Sequence, residues 1–392
     1  MRKHRIWYCL MLAFAIIFYL ISDSSATVIL LAGLIIIPLI SGILLFVSTR
    51  SIHLKCNIKE STYAGTEQFL EIRMEKSNRV SMGALVLETE VKNVLYGDKE
   101  KKLLVLQPVK KKEQLFCYKM ELNDCGQTKI HISRVHFYDL TGLFAIRKNV
   151  HLQTEILVYP PELKLNIQKQ RRPEVETMGE LYDPQRKGQD VNEVSRLRAY
   201  VEGDSLGSIH WKLSGKLDEL IVREFGYPSN YHTILICDLM KKDGDRECEK
   251  EQNNVILSLM TSLSRCMLEA NMEHVVVKVE GGNCQPVSVN TMADHDAMVL
   301  EMLCCPIEEK KVGGDTLYHF LRSNLLSLCT KMVYITSDFD SEEASLIARE
   351  LDLTIIRVGM ESSAGYTDMN GYSVLPIQVK DDYADKLQTV VI

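Results

Sequence analysis

Asp238 and Asp338 each stand just past an apolar run of strand length, Tyr231 to Cys237 in the first case and Met332 to Thr336 in the second. Carboxylates at strand ends can hold a hard cation, which takes oxygen ligands. Other reactive residue types are present without an instructive spacing. There is no P-loop pattern and no H-E-x-x-H. Ser, Cys and His all occur, so a hydrolase or transferase site assembled only in three dimensions stays open. His131 and His136, five positions apart in one predicted strand, are expected on opposite faces. The adjacent pair Cys304 and Cys305 reads either as packing or as a reactive pair.

The two acids depend on strands that alternate with helices. Residues 231–238, 274–279, 332–336 and 354–358 have the apolar runs of buried strands, with 374–379 a last edge strand. Helical spacing covers 255–268, 294–303, 316–328 and 341–351. Such alternation predicts a doubly wound, mostly parallel sheet with functional residues at the carboxyl ends of its strands.

Just upstream lies the densest segment of the chain, 196–224. Leu197, Ala199 and Val201 alternate with Arg198 and Tyr200, the period of a strand. Gly203 and Asp204 supply a turn and an N-cap. Leu206, Ile209, Leu213 and Leu217 then share one stripe of a helix expected over 205–216. Trp211 lies off that stripe among Gly207, Ser208, Ser214 and Gly215, either as an inter-domain anchor or as a hot spot for a partner. Residues 220–222 return to strand pattern.

This segment resembles the signature of the bacterial family known as domain of unknown function 58. The matching positions are Arg198, Tyr200, Gly203, Asp204, Ile209, Trp211, Lys212, Ser214, Leu220, Val222 and Glu224. An Arg usual after the Gly-Asp pair is absent, and the usual Ala-Arg after the Ser reads Gly215-Lys216. The resemblance implies a membrane-anchored protein with a von Willebrand factor A-like domain and, as partner, a MoxR-type AAA+ ATPase. It also implies where an ion would sit: an Asp-x-Ser-x-Ser loop, a distant Thr and a distant Asp. Here Asp238, Thr316 and Asp338 occupy the Asp, Thr and acid positions, but Met240 and Lys242 replace the two Ser. Met is a soft, poor ligand for Mg²⁺ and a Lys ammonium competes with the ion. The expectation is a degenerate site with no cofactor.

At 392 residues the chain has room for a membrane anchor and two further domains. The net charge of −6 argues against a nucleic-acid binder. Eleven Cys, scattered without a C-x-x-C pair, read as reduced thiols rather than a disulfide framework.

Two apolar runs open the chain, expected as transmembrane helices over 6–22 and 27–47. The second is about 21 residues, or ~32 Å of helix. The first is shorter and has a cleaved signal peptide as its rival reading. Gly33, Pro38 and Gly42 are tolerated in a membrane helix and are expected to let the two helices pack closely. Arg2, Lys3 and Arg5 precede the first run, Arg50 and Lys55 follow the second, and no basic residue lies between. The positive-inside rule then places everything after the hairpin in the cytoplasm.

From 51 to 165, short alternating strands and turns predict an all-β sandwich. Lys110, Lys111 and Lys112 form a charge run there, a solvated turn or a contact for anionic lipid. The stretch 138–144, with 158–160, resembles further elements of the same family, and a β-turn with packed aromatic ends explains it equally. Residues 166–195 read as a linker or mobile loop, 196–230 as the signature segment and 231–392 as the von Willebrand factor A-like α/β domain. The expected molecule is a multi-pass membrane protein with cytoplasmic domains and no catalytic residues, acting by interaction. A metal-dependent adhesion module facing outward is the remaining alternative.

Overall fold

A computed structural model describes residues 2–21, 24–50, 52–77, 83–108, 112–163, 182–183, 194–200, 209–217, 219–225, 227–228, 231–239, 241, 246–307, 315–359, 367–369 and 371–379. The chain divides into two compact units, Met1–Pro161 with Leu300–Ile307, and Glu162–Val299 with Glu308–Ile392.

The first unit opens with α1 (Arg2–Ile21) and α2 (Ser25–Thr49), both long and apolar enough to cross a membrane. Ser24 caps α2 by accepting the Ala26 N–H at 3.4 Å. Both helices begin before the predicted spans, and α2 also runs past its predicted end, where the reason is packing. Ser41, Leu45, Ser48 and Thr49 recur at helical spacing and are buried, and Leu45 is part of the core of the β-sandwich that follows. Gly42 therefore serves the sandwich rather than α1: a Cβ added there would lie 3.2 Å from the Phe144 ring. Gly33 meets nothing, with open space where its Cβ would be.

The sandwich has a five-stranded and a three-stranded sheet. The strands are β1 (Ile52–Asn57), β2 (Ser61–Tyr63), β3 (Thr66–Lys76), β4 (Leu85–Asn93), β5 (Lys99–Leu106), β6 (Glu113–Leu122), β7 (Gly126–Tyr138) and β8 (Ala145–Tyr159). Their orders are β2-β8-β7-β4-β5 and β1-β3-β6. Alternation puts Leu70, Ile72 and Met74 of β3 and Leu85 and Leu87 of β4 into one core.

One expectation fails in β7. His131 and His136 lie on the same, outward face. Ile132 and Arg134 pair with consecutive residues of β4, so Ser133 is an extra residue, a bulge that resets the alternation. His136 Nε2 then reaches Glu88 Oε1 at 2.7 Å, and His131 stacks near His151.

The loop between β7 and β8 ties the sandwich to α2. Asp139 is buried, and its Oδ2 accepts from Ser41 Oγ at 2.9 Å and from the Thr141 N–H at 3.1 Å, while Oδ1 accepts from the Phe144 N–H at 2.9 Å. The Thr141 hydroxyl also donates to it. Burial pushes this carboxyl up, but the donors outweigh that and hold it below the usual range. Gly83 permits the close approach of this loop: a Cβ would stand 2.2 Å from the Asp139 carbonyl oxygen.

The second unit contains β9 (Tyr182–Asp183), β10 (Val194–Ala199), α3 (Trp211–Leu217), β11 (Ile221–Phe225), β12 (Tyr227–Pro228), β13 (Tyr231–Cys237), α4 (Arg246–Glu269), β14 (His274–Glu280), β15 (Asn283–Val289) and α5 (Met292–Cys304), which continues into the first unit. α6 (Asp315–Leu321), a 3₁₀ turn (Asn324–Leu328), β16 (Cys329–Thr336), α7 (Ser341–Ile347), β17 (Asp352–Gly359), β18 (Thr367–Met369) and β19 (Tyr372–Gln378) complete it.

Seven strands form one mixed sheet in the order β15-β14-β13-β16-β17-β19-β18. The inner five are parallel and the two outermost are antiparallel hairpin partners. β19 is therefore not the edge strand expected, because β18 pairs outside it. β15 follows the positive-φ turn Gly281-Gly282 and carries Pro286, which suits an edge. The helix expected over 316–328 is broken by Ser323. Its hydroxyl donates to the Phe320 carbonyl at 2.6 Å and accepts the Leu325 N–H at 3.3 Å, ending one helix and capping the 3₁₀ turn. α7 likewise stops at Ile347, short of the predicted end. β9 pairs with β12, giving two residues of the predicted linker a strand partner.

Candidate functional site

In the mixed sheet the chain runs from β13 through α4 to β14 on one side, and β16 lies on the other side of β13. The carboxyl ends of β13 and β16 thus flank a topological switch point, the place where open α/β sheets bind ligands. Asp238 stands at the end of β13 and is buried; its N–H donates to the Ile335 carbonyl at 2.9 Å. The sequence pattern missed its partner. Tyr334 of β16, fully buried, donates its hydroxyl to Asp238 Oδ2 at 3.1 Å. Burial, with the Asp238 charge beside it, pushes the Tyr334 phenol far above its ordinary value, so it stays a donor. A Tyr inside an apolar strand needs a partner for its hydroxyl, and that was the available signal.

Asp338, after β16, is held by local bonds. The Thr336 hydroxyl donates to the Asp338 carbonyl at 2.7 Å and accepts the Asp338 N–H at 3.2 Å. Thr316 is buried in α6. Met240 and Lys242 lie outside the described residues. As a fit test for Mg²⁺, these groups offer one carboxylate already engaged by a phenol and a second acid tied into its own turn. Among the described residues no three His, Cys, Asp or Glu come together in a metal-holding group.

The signature segment splits into an inner and an outer set. β10 and β11 pair antiparallel, with Arg198 opposite Val222 and Arg196 opposite Glu224; the side chains of Arg198 and Glu224 lie outside the described residues. Gly203 and Asp204 also lie outside them. The Tyr200 N–H donates to the Leu220 carbonyl at 2.8 Å. Ile209 forms a β-bridge with Val222, and the His210 N–H donates to the Ile221 carbonyl at 2.8 Å. α3 starts at Trp211, because strand-like pairing claims Ile209 and His210; residues 205–208 of the predicted helix lie outside the described residues.

Ser214 is buried. Its Oγ accepts the Ile221 N–H at 2.9 Å and donates to the His210 carbonyl at 3.1 Å, stapling α3 to β11. Trp211, three positions earlier on α3, is 64 % exposed, and Lys212, Lys216 and Leu220 are exposed too.

A third cluster had no signature at all. Ser264 of α4 lies 2.7 Å from His274 Nε2 of β14 and 3.0 Å from His295 Nδ1 of α5. His274 Nδ1 lies 3.2 Å from the Met272 carbonyl oxygen. One proton arrangement satisfies every group: His274 Nδ1–H donates to Met272, Ser264 O–H donates to His274 Nε2, and His295 Nδ1–H donates to Ser264. Burial, with His295 nearby and despite the Met272 bond, lowers His274 to about 4. Burial also lowers His295. Ser264 is 0 % exposed, so this Ser-His pair is a core lock and not a nucleophile open to substrate.

The cysteines are all free thiols. Burial, with Cys305 and Glu155 adding to it, raises the Cys304 thiol, which lowers its thiolate fraction and favours the packing reading of that pair.

No family model and no curated protein matches the chain. Among solved structures, the chain is similar to a CARDB domain from Pyrococcus furiosus, at 10 % identity and a TM-score of 0.18, over 27 % of this chain and 86 % of that one. It is also similar to a cohesin module of a Clostridium perfringens family 33 glycoside hydrolase, at 7 % identity and 0.21, over 28 % and 96 %. A Parabacteroides merdae β-glucuronidase shares 7 % identity at 0.20, over 78 % of this chain and 34 % of that one. At such scores none of them assigns this chain a ligand or an activity.

Proposed function

We propose that this is a membrane-anchored interaction protein whose soluble part lies in the cytoplasm and docks, through the face around Trp211, to a MoxR-type AAA+ ATPase acting in complex assembly or envelope maintenance. The observation that carries it is Trp211 itself: a large ring left exposed on a short helix that Ser214 pins to β11. Trp is among the residue types most enriched in interface hot spots. The cytoplasmic side is supported by the basic residues outside both helices and their absence between them. The α/β unit is read as von Willebrand factor A-like, with Asp238 at the switch point as support. The partner class comes from the resemblance of the signature segment.

The test is affinity purification of the tagged full chain from native membranes, alongside Trp211→Ala. The ATPase should accompany the wild type and be lost with the variant. Equal recovery with both, or no ATPase with either, sinks the reading. A reporter fused at Ile392 should give a cytoplasmic signal.

A further inference from the structure

Between α1 and α2 runs an open groove of about 450 Å³, the size of a small-molecule site. Its shape follows from two residues of α2. Gly33 contributes no side chain and faces open space. Pro38 has no N–H to give the Leu34 carbonyl, the acceptor one helical turn back. Tyr8 of α1 supplies the missing donor at 2.7 Å, so a side chain bridges the two helices there. Deeper along the hairpin the lining is Met11, Ile29 and Leu30; at the opposite end it is His4, Thr141 and Leu143. Arg5 sits at that end, its Nε donating to the Leu143 carbonyl at 2.9 Å. Arg2 and Lys3 precede it in sequence. The lining residues Ile29 and Ile37 are apolar and exposed, as are Ile6 and Leu10 elsewhere on α1.

We propose that this groove binds an anionic glycerophospholipid, with one acyl chain along Met11, Gly33 and Leu30 and the phosphate at the His4–Arg5 end; the proposal rests on the membrane-anchored reading above. The occupant follows from the surroundings. An apolar channel open to hydrocarbon fills with hydrocarbon, and a basic group at its interfacial mouth selects an anionic headgroup. Thr141 and Leu143 bring the sandwich loop to the same mouth, so a bound headgroup would touch both the hairpin and the loop organised by Asp139.

The test uses the full chain in phosphatidylcholine nanodiscs containing a minor fraction of phosphatidylglycerol with a photoreactive acyl chain. A parallel arm carries the label on phosphatidylcholine. Met11, Leu30 and Ile37 should be labelled about fivefold more than Phe14 and Ile43, which are exposed on the same helices outside the groove, and more from phosphatidylglycerol than from phosphatidylcholine. Gly33→Leu, whose side chain enters open space, should reduce groove labelling to the control level at unchanged melting temperature. Arg5→Gln should abolish the headgroup preference while leaving chain labelling. Equal labelling of groove and control positions overturns the proposal, as does groove labelling that Gly33→Leu leaves intact or that shows no headgroup preference. If Gly33→Leu is not recovered folded, the wild-type ratios decide. Release of the protein from membranes by alkaline extraction would instead overturn the anchored reading beneath it; retention with uniform labelling overturns the lipid site alone.

Discussion

The Tyr8 hydroxyl donates to the Leu34 carbonyl at 2.7 Å, the acceptor that Pro38 leaves without its helical donor. A proline that would otherwise orphan a backbone group inside a helix long and apolar enough to cross a membrane is thereby compensated from the neighbouring helix. Tyr8→Phe keeps the ring and removes the donor. It should cost about 0.6–1.7 kcal/mol of hairpin stability, the range for interhelical hydrogen bonds in membranes. Unfolding of the reconstituted protein by denaturing detergent, wild type against variant, measures it, and no change would mean the carbonyl finds another donor.

Asp139 gathers donors from α2 and from its own loop. Asp139→Ala should destabilise the first unit by about 1.5–3 kcal/mol, as for hydrogen bonds to a charged group. Its folded-state pKa is lowered. Its contribution is therefore complete above the unfolded value, about 3.9, and is lost as pH falls through the lower folded value. Melting between neutral and acid pH should show that loss in the wild type and not in Asp139→Ala.

Trp211 and Ser214, three positions apart on α3, should separate function from fold. Trp211→Ala should leave melting within about 0.5 kcal/mol, as for an exposed site, while weakening partner binding by at least ~2 kcal/mol. Ser214→Ala strands the part-buried Ile221 N–H and should cost about 1–3 kcal/mol of stability. A large melting shift for Trp211→Ala would show the ring to be structural.

His274 should make the second unit acid-sensitive. Its value falls from an unfolded ~6.5 to about 4 when folded. The unfolded chain therefore binds the proton first as pH drops. Stability is full above ~6.5 and declines towards pH 4 by about 3 kcal/mol, with His295 adding in the same direction. Denaturant unfolding across this range should show roughly one proton taken up on unfolding for His274, and His274→Gln should flatten the curve. A pH-independent wild type would contradict the buried lock.

Asp238 should not act as a cation ligand in the native chain. Calorimetric titration of the protein with Mg²⁺ or Mn²⁺ should show no saturable binding at sub-millimolar concentration, and Met240→Ser with Lys242→Ser should create or strengthen it. Tight binding lost in Asp238→Ala would show that the Tyr334 hydroxyl yields to an ion.

By itself the sequence determined what depends on local pattern. The two apolar runs, the alternation of β3 and β4, and the buried strands 231–237 and 332–336 are each legible because a period of two or an unbroken apolar run needs no distant partner. The position of Asp238 at a strand end was legible for the same reason. Its partner was not: Tyr334 comes from the adjacent parallel strand, 96 residues away, and only strand order made them neighbours. The bulge at Ser133 is one residue of register, invisible to periodicity, and it alone put His131 and His136 on one face. The start of α3 was decided by the β-bridge between Ile209 and Val222, which outweighed a helical stripe. Ser264, His274 and His295 belong to three elements and carry no common spacing; packing α4 and α5 with β14 brought them together, and burial then fixed them as neutral hydrogen-bonding groups because a charge there would lose its water.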